Sequence, residues 1–471
     1  MLIATLGLAC RRGRSVQDAN AEHASVTDGG KVSPDVPDGG LIATDGGVDS
    51  ADAGGSTDTC DSLVESSGDG GLTWTVAVPA VMTQDDGAQW TALSDDPECA
   101  DIRPGRVPAQ LSWNGPDASS GAPSCDPAVI DGNGDLAVFS LYGTSAGNTF
   151  LRANGSGATI VTNTSNEMQM LVAPRANGFV LASYTWHPWC SLVRVLQPDA
   201  TAGRPLPVDG VDPSRLQAIV PNPLGGYVQG RTTTDAQPSP HLYVLQLRWV
   251  DDALQPLGDW HTVTTWQIGT ENLWQLLVDQ KGKAFVLSFV YPPSFGRPPD
   301  PSTWSFSARW ADVSGPATAP FEPVAPKYTA SRSGAVYFAN WGRLDPLRDG
   351  GFAAFHAQTD SNAGTVSPTG WYAFYPSAES TIQITPSWLA SYDGSLQLLQ
   401  GSRGYGVLQR DFATCARTIL LLSVSGKACF SLPIAGSNVC NAADSITPDG
   451  TVVLEGSCRF RWWPRLASSQ K

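Results

Sequence analysis

The chain has 471 residues, with 48 Gly, 36 Pro and only 15% charged residues. That mix suits many short strands joined by turns and excludes a protein built on long helices, which need Ala, Leu, Glu and Lys. The net charge of −15 excludes a nucleic-acid partner, which requires a basic face, and excludes electrostatic attachment to anionic lipid.

The first ten residues, MLIATLGLAC, are mostly apolar and place small Ala9 before Cys10. This start resembles a bacterial lipoprotein signal, which implies removal of residues 1–9 and lipid modification of Cys10. It departs from that pattern at Gly7, where the family usually carries Leu, and in having no basic residue ahead of the apolar run. Residues 10–60 follow as a linker. Thr27-Asp-Gly-Gly30, Pro37-Asp-Gly-Gly40, Thr44-Asp-Gly-Gly47 and Asp52-Ala-Gly-Gly55 repeat one theme, and residues 15–60 hold nine acidic residues against one lysine. Such a stretch buries too little apolar surface to offset chain entropy and reads as a disordered, self-repelling tether. Asp/Gly tethers of this kind resemble those that follow the lipidated cysteine of bacterial surface lipoproteins.

Ser67-Gly-Asp-Gly-Gly-Leu-Thr-Trp74 comes next. It resembles the Asp box of sialidases and other β-propellers. The resemblance covers eight residues and implies a structural hairpin turn with Ser67, Asp69, Gly71, Thr73 and Trp74 in the motif positions. It does not imply sialidase chemistry, because the arginine cluster and the paired tyrosine nucleophile are not recognisable.

From residue 61 to 466 the pattern is strand, turn, strand. The strongest strand candidates are Leu136–Tyr142, Phe179–Trp186, Leu192–Leu196, Leu242–Val250, Phe285–Tyr291, Trp304–Trp310, Ala335–Trp341, Phe352–His356, Ile419–Val424 and Val452–Glu455. They are rich in β-branched and aromatic residues and bounded by Gly, Pro, Asn and Asp. A repeated unit starts at Gly134, Gly178, Gly226, Gly282, Gly334, Gly394 and Gly450, at gaps of 44, 48, 56, 52, 60 and 56 residues. Asp349-Gly-Gly-Phe352 is a second candidate start near the fifth unit. Gaps of this size are those of propeller blades. The expected fold is therefore all-β, a single β-propeller of about seven blades, with six to eight as the range; the alternative is two β-sandwich domains.

Nine cysteines are present. With Cys10 lipidated, Cys60, Cys99, Cys125, Cys190, Cys415, Cys429, Cys440 and Cys458 remain as disulfide candidates, which fits an oxidising compartment. Cys415 with Cys429, and Cys440 with Cys458, flank strands and are placed to staple the last blades, although eight cysteines allow many pairings.

Two clusters carry potential site chemistry. Asp131-Gly-Asn-Gly-Asp135 places oxygen ligands Asp131, Asn133 and Asp135 at alternate positions in a Gly-rich turn. It resembles the calcium loops of integrin-like propellers but lacks their later acidic residue, so a plain hairpin turn is the competing reading. Trp186-His-Pro-Trp-Cys190 offers Trp186, His187 and Trp189 as a binding loop, against a disulfide-pinned turn. No zinc, nucleophile-elbow or phosphate-loop motif appears. No cofactor is expected beyond that calcium option, and no catalytic residue is assigned.

The expected protein is exported and held at the outer membrane or cell surface by a lipid anchor, with a secreted or periplasmic protein as the alternative. Its propeller is expected to act as a monomeric, non-catalytic platform for a glycan or protein ligand. The alternatives are a propeller-fold glycoside hydrolase or lyase, with paired carboxylates, and a structural envelope component.

Overall fold

Runs of alternating or continuous apolar residues become strands wherever Gly, Pro or Asp supplies a turn at each end. Leu136–Tyr142, Phe179–Trp186 and Leu242–Val250 form strands over the spans expected. The computed structural model describes residues 60, 72–75, 82–85, 87–114, 129–142, 145–151, 157–162, 167–186, 189–196, 203–208, 216–234, 242–267, 271–279, 281–291, 305–313, 336–337, 344–346, 352–360, 369–375, 404–410, 414, 416–423, 425–434, 444–446, 450–456 and 459–467. The chain is all-β. Among these residues no helix is long and apolar enough to cross a membrane.

The described strands form seven antiparallel sheets, numbered here along the chain. Sheet 1 joins Val129–Ile130, Leu136–Tyr142, Ser145–Leu151 and Gly157–Thr162, and Leu72–Thr75 adds to its outer edge. Sheet 2 runs from Glu167–Pro174 through Phe179–Trp186 and Trp189–Leu196 to Leu206–Pro207. Sheet 3 holds Leu216–Pro221, Tyr227–Thr234, Leu242–Val250 and His261–Gln267. Sheet 4 holds Glu271–Val278, Ala284–Tyr291 and Ser305–Ala311. Sheet 5 is built on Phe352–Asp360, which pairs with Leu344–Pro346, Thr369–Tyr375 and Val336–Tyr337. Phe352 opens the central strand of this sheet, while Asp349, Gly334 and Gly394 lie outside the described residues.

Sheets 6 and 7 each take strands from both parts of the chain. Sheet 6 lines up Gly404–Arg410, Arg417–Ser423 and Ala428–Ile434, then Thr91–Ala92. Sheet 7 lines up Asp444–Ile446, Val452–Gly456 and Arg459–Trp463, then Gln110–Asn114 and Met82–Gln84. The N-terminal segment thus passes outer edges of sheets 1, 7 and 6 in turn before it returns to sheet 7. Each crossing covers backbone groups that an exposed edge would leave open to other chains.

The core is a series of seams between consecutive sheets. Leu408, Ile419 and Leu432 of sheet 6 pack with Ile446, Val452 and Trp463 of sheet 7. Leu111, Trp113 and Phe460 of sheet 7 pack with Ile130 and Leu136 of sheet 1. Ala137 of sheet 1 meets Phe179, Leu181 and Leu196 of sheet 2. Val180 and Val193 of sheet 2 meet Ile219, Tyr227 and Val250 of sheet 3. Val228, Leu247 and Trp249 of sheet 3 meet Trp274, Leu276 and Val286 of sheet 4. Sheets 7, 1, 2 and 3 each pack on two neighbours, which a pair of two-layer sandwiches does not provide.

A second repeat lies inside the seams. Arg194, Arg248, Arg309 and Arg461 occupy one register position on the third strands, opposite Leu181, Gln229, Val286 and Leu454. Arg248 is buried and donates to the Val208 carbonyl of sheet 2 at 2.7 Å and to Gln229 Oε1 at 2.9 Å. It ties two sheets through amide and carbonyl oxygens.

Two disulfides fasten the N-terminal segment. Cys60 bonds Cys190 on sheet 2, and Cys99 bonds Cys429 on sheet 6. The second corrects the expected Cys415–Cys429 staple: the 3₁₀ turn Pro97–Cys99 sits against the Ser423–Lys427 turn, where Glu98 accepts from Ser423 at 3.0 Å and Asp96 pairs with Lys427. Cys60, assigned to the end of the linker, is buried and joins the fold. Cys10, Cys125, Cys415, Cys440 and Cys458 lie outside the described residues. Digestion without reduction is expected to yield Cys60–Cys190 and Cys99–Cys429 peptide pairs; recovery of a Cys415–Cys429 pair contradicts this arrangement. Replacing Cys99 and Cys429 together by Ser is expected to cost about 2–5 kcal/mol, read as a lower denaturant midpoint.

Candidate functional site

One turn design recurs where a strand reverses. In the turns headed by Asp131, Asp251 and Asp279, the heading N–H donates to the carbonyl four residues on. The N–H three residues on donates back to the heading carbonyl. The heading carboxylate accepts two further amides: Asp131 Oδ1 from Asn133 and Asp135 at 2.8 and 2.9 Å, and Asp279 Oδ1 from Lys281 and Lys283 at 2.8 Å each. Asp251 does the same with Ala253 and Gln255. The fourth position is left-handed, with φ of +85° at Gly134 and +77° at Gly282, which is where a hairpin of this type wants glycine. Asn222 and Ser423 head the same backbone pattern, each with one side-chain cap.

The turn of sheet 2 is one residue shorter. Pro174 pairs with Phe179, and Arg175 N–H donates to the Gly178 carbonyl three residues on rather than four; its guanidinium cannot accept an amide. Asp131 Oδ2 accepts Gly178 N–H at 2.7 Å, and the Arg175 carbonyl accepts Gly132 N–H at 2.9 Å. The approach is close enough that a Cβ on Gly132 would lie 2.6 Å from the Ala176 carbonyl oxygen. One carboxylate therefore caps its own turn and the next.

These turns wall a cavity of about 310 Å³ between the ends of sheets 1, 2 and 3. Its polar lining includes Asp131, Arg175, Tyr227 and Asp252, and Pro174 and Pro221 give it apolar surface. Asp131 is buried, and burial pushes its carboxyl above the ordinary carboxylate value despite the three amides that pull it down. Burial pushes the Tyr227 hydroxyl well above the ordinary phenol value; the nearby Arg175 charge opposes that rise and Asp252 adds to it. Asp252 Oδ1 accepts Gly226 N–H at 2.9 Å. Arg175 has no carboxylate partner among the described residues. A cation so placed, at the mouth of a cavity, is the kind of feature that marks a site.

Of the residues expected to hold a metal, Asp131 lines this cavity and accepts three amides, and Asn133 donates to Asn177 Oδ1. Trp186 and Trp189 face each other across the hairpin at the opposite end of sheet 2 from this cavity, followed by the disulfide-bonded Cys190; His187 and the side chains of both tryptophans lie outside the described residues. Thr73 and Trp74 lie in the strand paired with Gly157–Thr162, while Ser67, Asp69 and Gly71 lie outside the described residues. Arg175, Tyr227 and Asp252 were not singled out in the sequence. No local signal sets them apart: the residue three before a repeat glycine is Asp131 or Asp279 in two units, Arg175 in another and Pro223 in another.

No family model matches the chain, and no curated protein matches it. Among solved structures it is similar to prolyl oligopeptidase B from Galerina marginata, at 11% identity and a TM-score of 0.40, over 84% of this chain and 56% of that one. It is also similar to an ulvan lyase of a new polysaccharide lyase family, at 8% identity and a TM-score of 0.42, over 74% and 95%. TolB from Acinetobacter baumannii aligns at 10% identity and a TM-score of 0.31, over 71% and 79%. The chain spans little more than half of the oligopeptidase, and the fold described above stands on this chain's own strand pairing.

Asp131→Ala is expected to lower stability by about 2–3 kcal/mol, because it strands amides of two turns, whereas Asp251→Ala, which serves one exposed turn, costs about 1 kcal/mol. Denaturant midpoints of the two variants check the difference; equal losses contradict the double-capping role.

Proposed function

We propose that this protein is an exported ligand-binding module: a single propeller of seven blades, one per sheet, carried on the acidic tether and anchored through lipid at Cys10. Ring closure would come from Gln110–Asn114 pairing with Arg459–Trp463, which brings the two parts of the chain into sheet 7. Disulfides at Cys60–Cys190 and Cys99–Cys429 support an oxidising compartment.

The placement of Arg175 carries the binding role. It puts a cation with no carboxylate partner among the described residues at a cavity shared by three blades. Binding is favoured over hydrolysis or elimination by the state of the other groups. Asp131 is committed to three amides, and Tyr227 is held protonated by burial, so it donates a hydrogen bond at neutral pH and does not serve as a base. A hydrophilic end unit of a glycan suits such a cavity better than a protein side chain, because turns and prolines rather than an apolar groove form its walls.

Arg175→Asn removes the cation and leaves a residue that suits turns. The variant is expected to keep the melting temperature of the parent protein and to lose binding on a glycan array. An unchanged array profile contradicts the cavity as the binding site. For the anchor, Cys10→Ala is expected to move the protein from the membrane fraction to the soluble one; continued fractionation with membrane contradicts lipidation.

A further inference from the structure

Tyr227 is only 3% exposed and lines the cavity. Its hydroxyl has no hydrogen-bond partner among the described residues. A buried phenol normally finds one, so the group is poised for something that enters. Arg175 and Asp252 line the same cavity, and both act on the hydroxyl electrostatically. Asp252 commits Oδ1 to Gly226 N–H, while Oδ2 has no partner among the described residues. The three side chains form a graded set: a fork of donors on Arg175, a single donor on Tyr227 and an acceptor on Asp252.

Resting on the binding role proposed above, we propose that the cavity takes a sugar acid, the carboxylate-bearing end unit of a glycan. The carboxylate would lie against the Arg175 guanidinium and accept the Tyr227 hydroxyl, and ring hydroxyls would donate to Asp252 Oδ2. Guanidinium and carboxylate match in a planar, two-bond geometry. Pro174, Pro221 and Pro223 offer C–H surface of the sort that packs against the apolar face of a sugar ring. A volume of about 310 Å³ suits one ring with part of a second. Charge sets the selectivity. The cavity holds one arginine against Asp131 and Asp252, so a singly charged carboxylate is repelled less than a doubly charged phosphate ester. A free amino acid also carries a carboxylate and donors, but it lacks a ring to lie against the prolines.

Calorimetric titration of the full chain with glucuronate, glucose and alanine tests this. Glucuronate is expected to bind at least about tenfold more tightly than glucose or alanine. Tyr227→Phe is expected to leave the unliganded melting temperature unchanged, because no protein bond is lost, and to weaken glucuronate about tenfold. Arg175→Asn is expected to abolish the preference for glucuronate over glucose. Equal binding of glucuronate and glucose, tighter binding of alanine, binding of none of the three, or a Tyr227→Phe variant with undiminished affinity overturns the assignment. A lower melting temperature in Tyr227→Phe also counts against it, since the hydroxyl would then have a structural partner. Equal sugar binding that Arg175→Asn abolishes overturns the sugar acid and leaves the platform standing; glycan binding that survives Arg175→Asn removes the platform itself.

Discussion

Leu111, Ser112, Trp113 and Asn114 run antiparallel to Arg459, Phe460, Arg461 and Trp462, and on this pairing the rest of the architecture depends. A twisted sheet has two faces, and a chain of sheets packed in series leaves one bare face at each end. Pairing the early strand with the late one fixes where sheet 7 stands. Ile130 and Leu136 of sheet 1 then meet Trp113, Phe460 and Trp462 rather than water. The stacked rings of Trp113 and Phe460, on neighbouring strands, lie in this same seam. Three of the seam's seven buried residues, Trp113, Phe460 and Trp462, are aromatic, so it buries a large apolar area where two distant parts of the chain must find each other.

The hairpin turns solve a different problem. Sheets 7, 1, 2 and 3 are each packed on two neighbours, so their polar groups concentrate at the strand ends. There a short oxygen-bearing side chain can satisfy two or three amides that water would otherwise have to reach. Asp131 does this twice over, and its bond to Gly178 N–H holds the turn that carries Arg175. Stability and recognition are thus coupled through one residue that does not itself contact the ligand in the proposed complex.

Much of the fold was legible in the sequence because strands and turn glycines announce themselves locally. Gly134, Gly178, Gly226, Gly282 and Gly450 all have positive φ, and the strands that follow them run as read. The partners of those strands were less legible. Thr91–Ala92 and Met82–Gln84 are too short and too polar to stand out, and their neighbours lie more than three hundred residues or one sheet away. Pairing of Cys99 with Cys429 is equally non-local: local spacing favoured Cys415, while the bond is decided by where the N-terminal segment crosses sheet 6. The cavity was hidden for the same reason. Arg175, Tyr227 and Asp252 belong to turns of two sheets, and nothing in their individual neighbourhoods marks them.

The bond between Cys60 and Cys190 also decides how the domain meets mechanical load. Cys60 lies ahead of Leu72–Thr75, the edge strand of sheet 1, whose hydrogen bonds to Gly157–Thr162 would open one at a time if the chain were drawn away from that end. With the crosslink in place, tension along residues 10–59 enters at Trp189–Leu196, an interior strand of sheet 2 paired on both sides. Moving that strand requires many ladder bonds to fail together, so the edge strand Leu72–Thr75 is shielded from a pull applied ahead of Cys60.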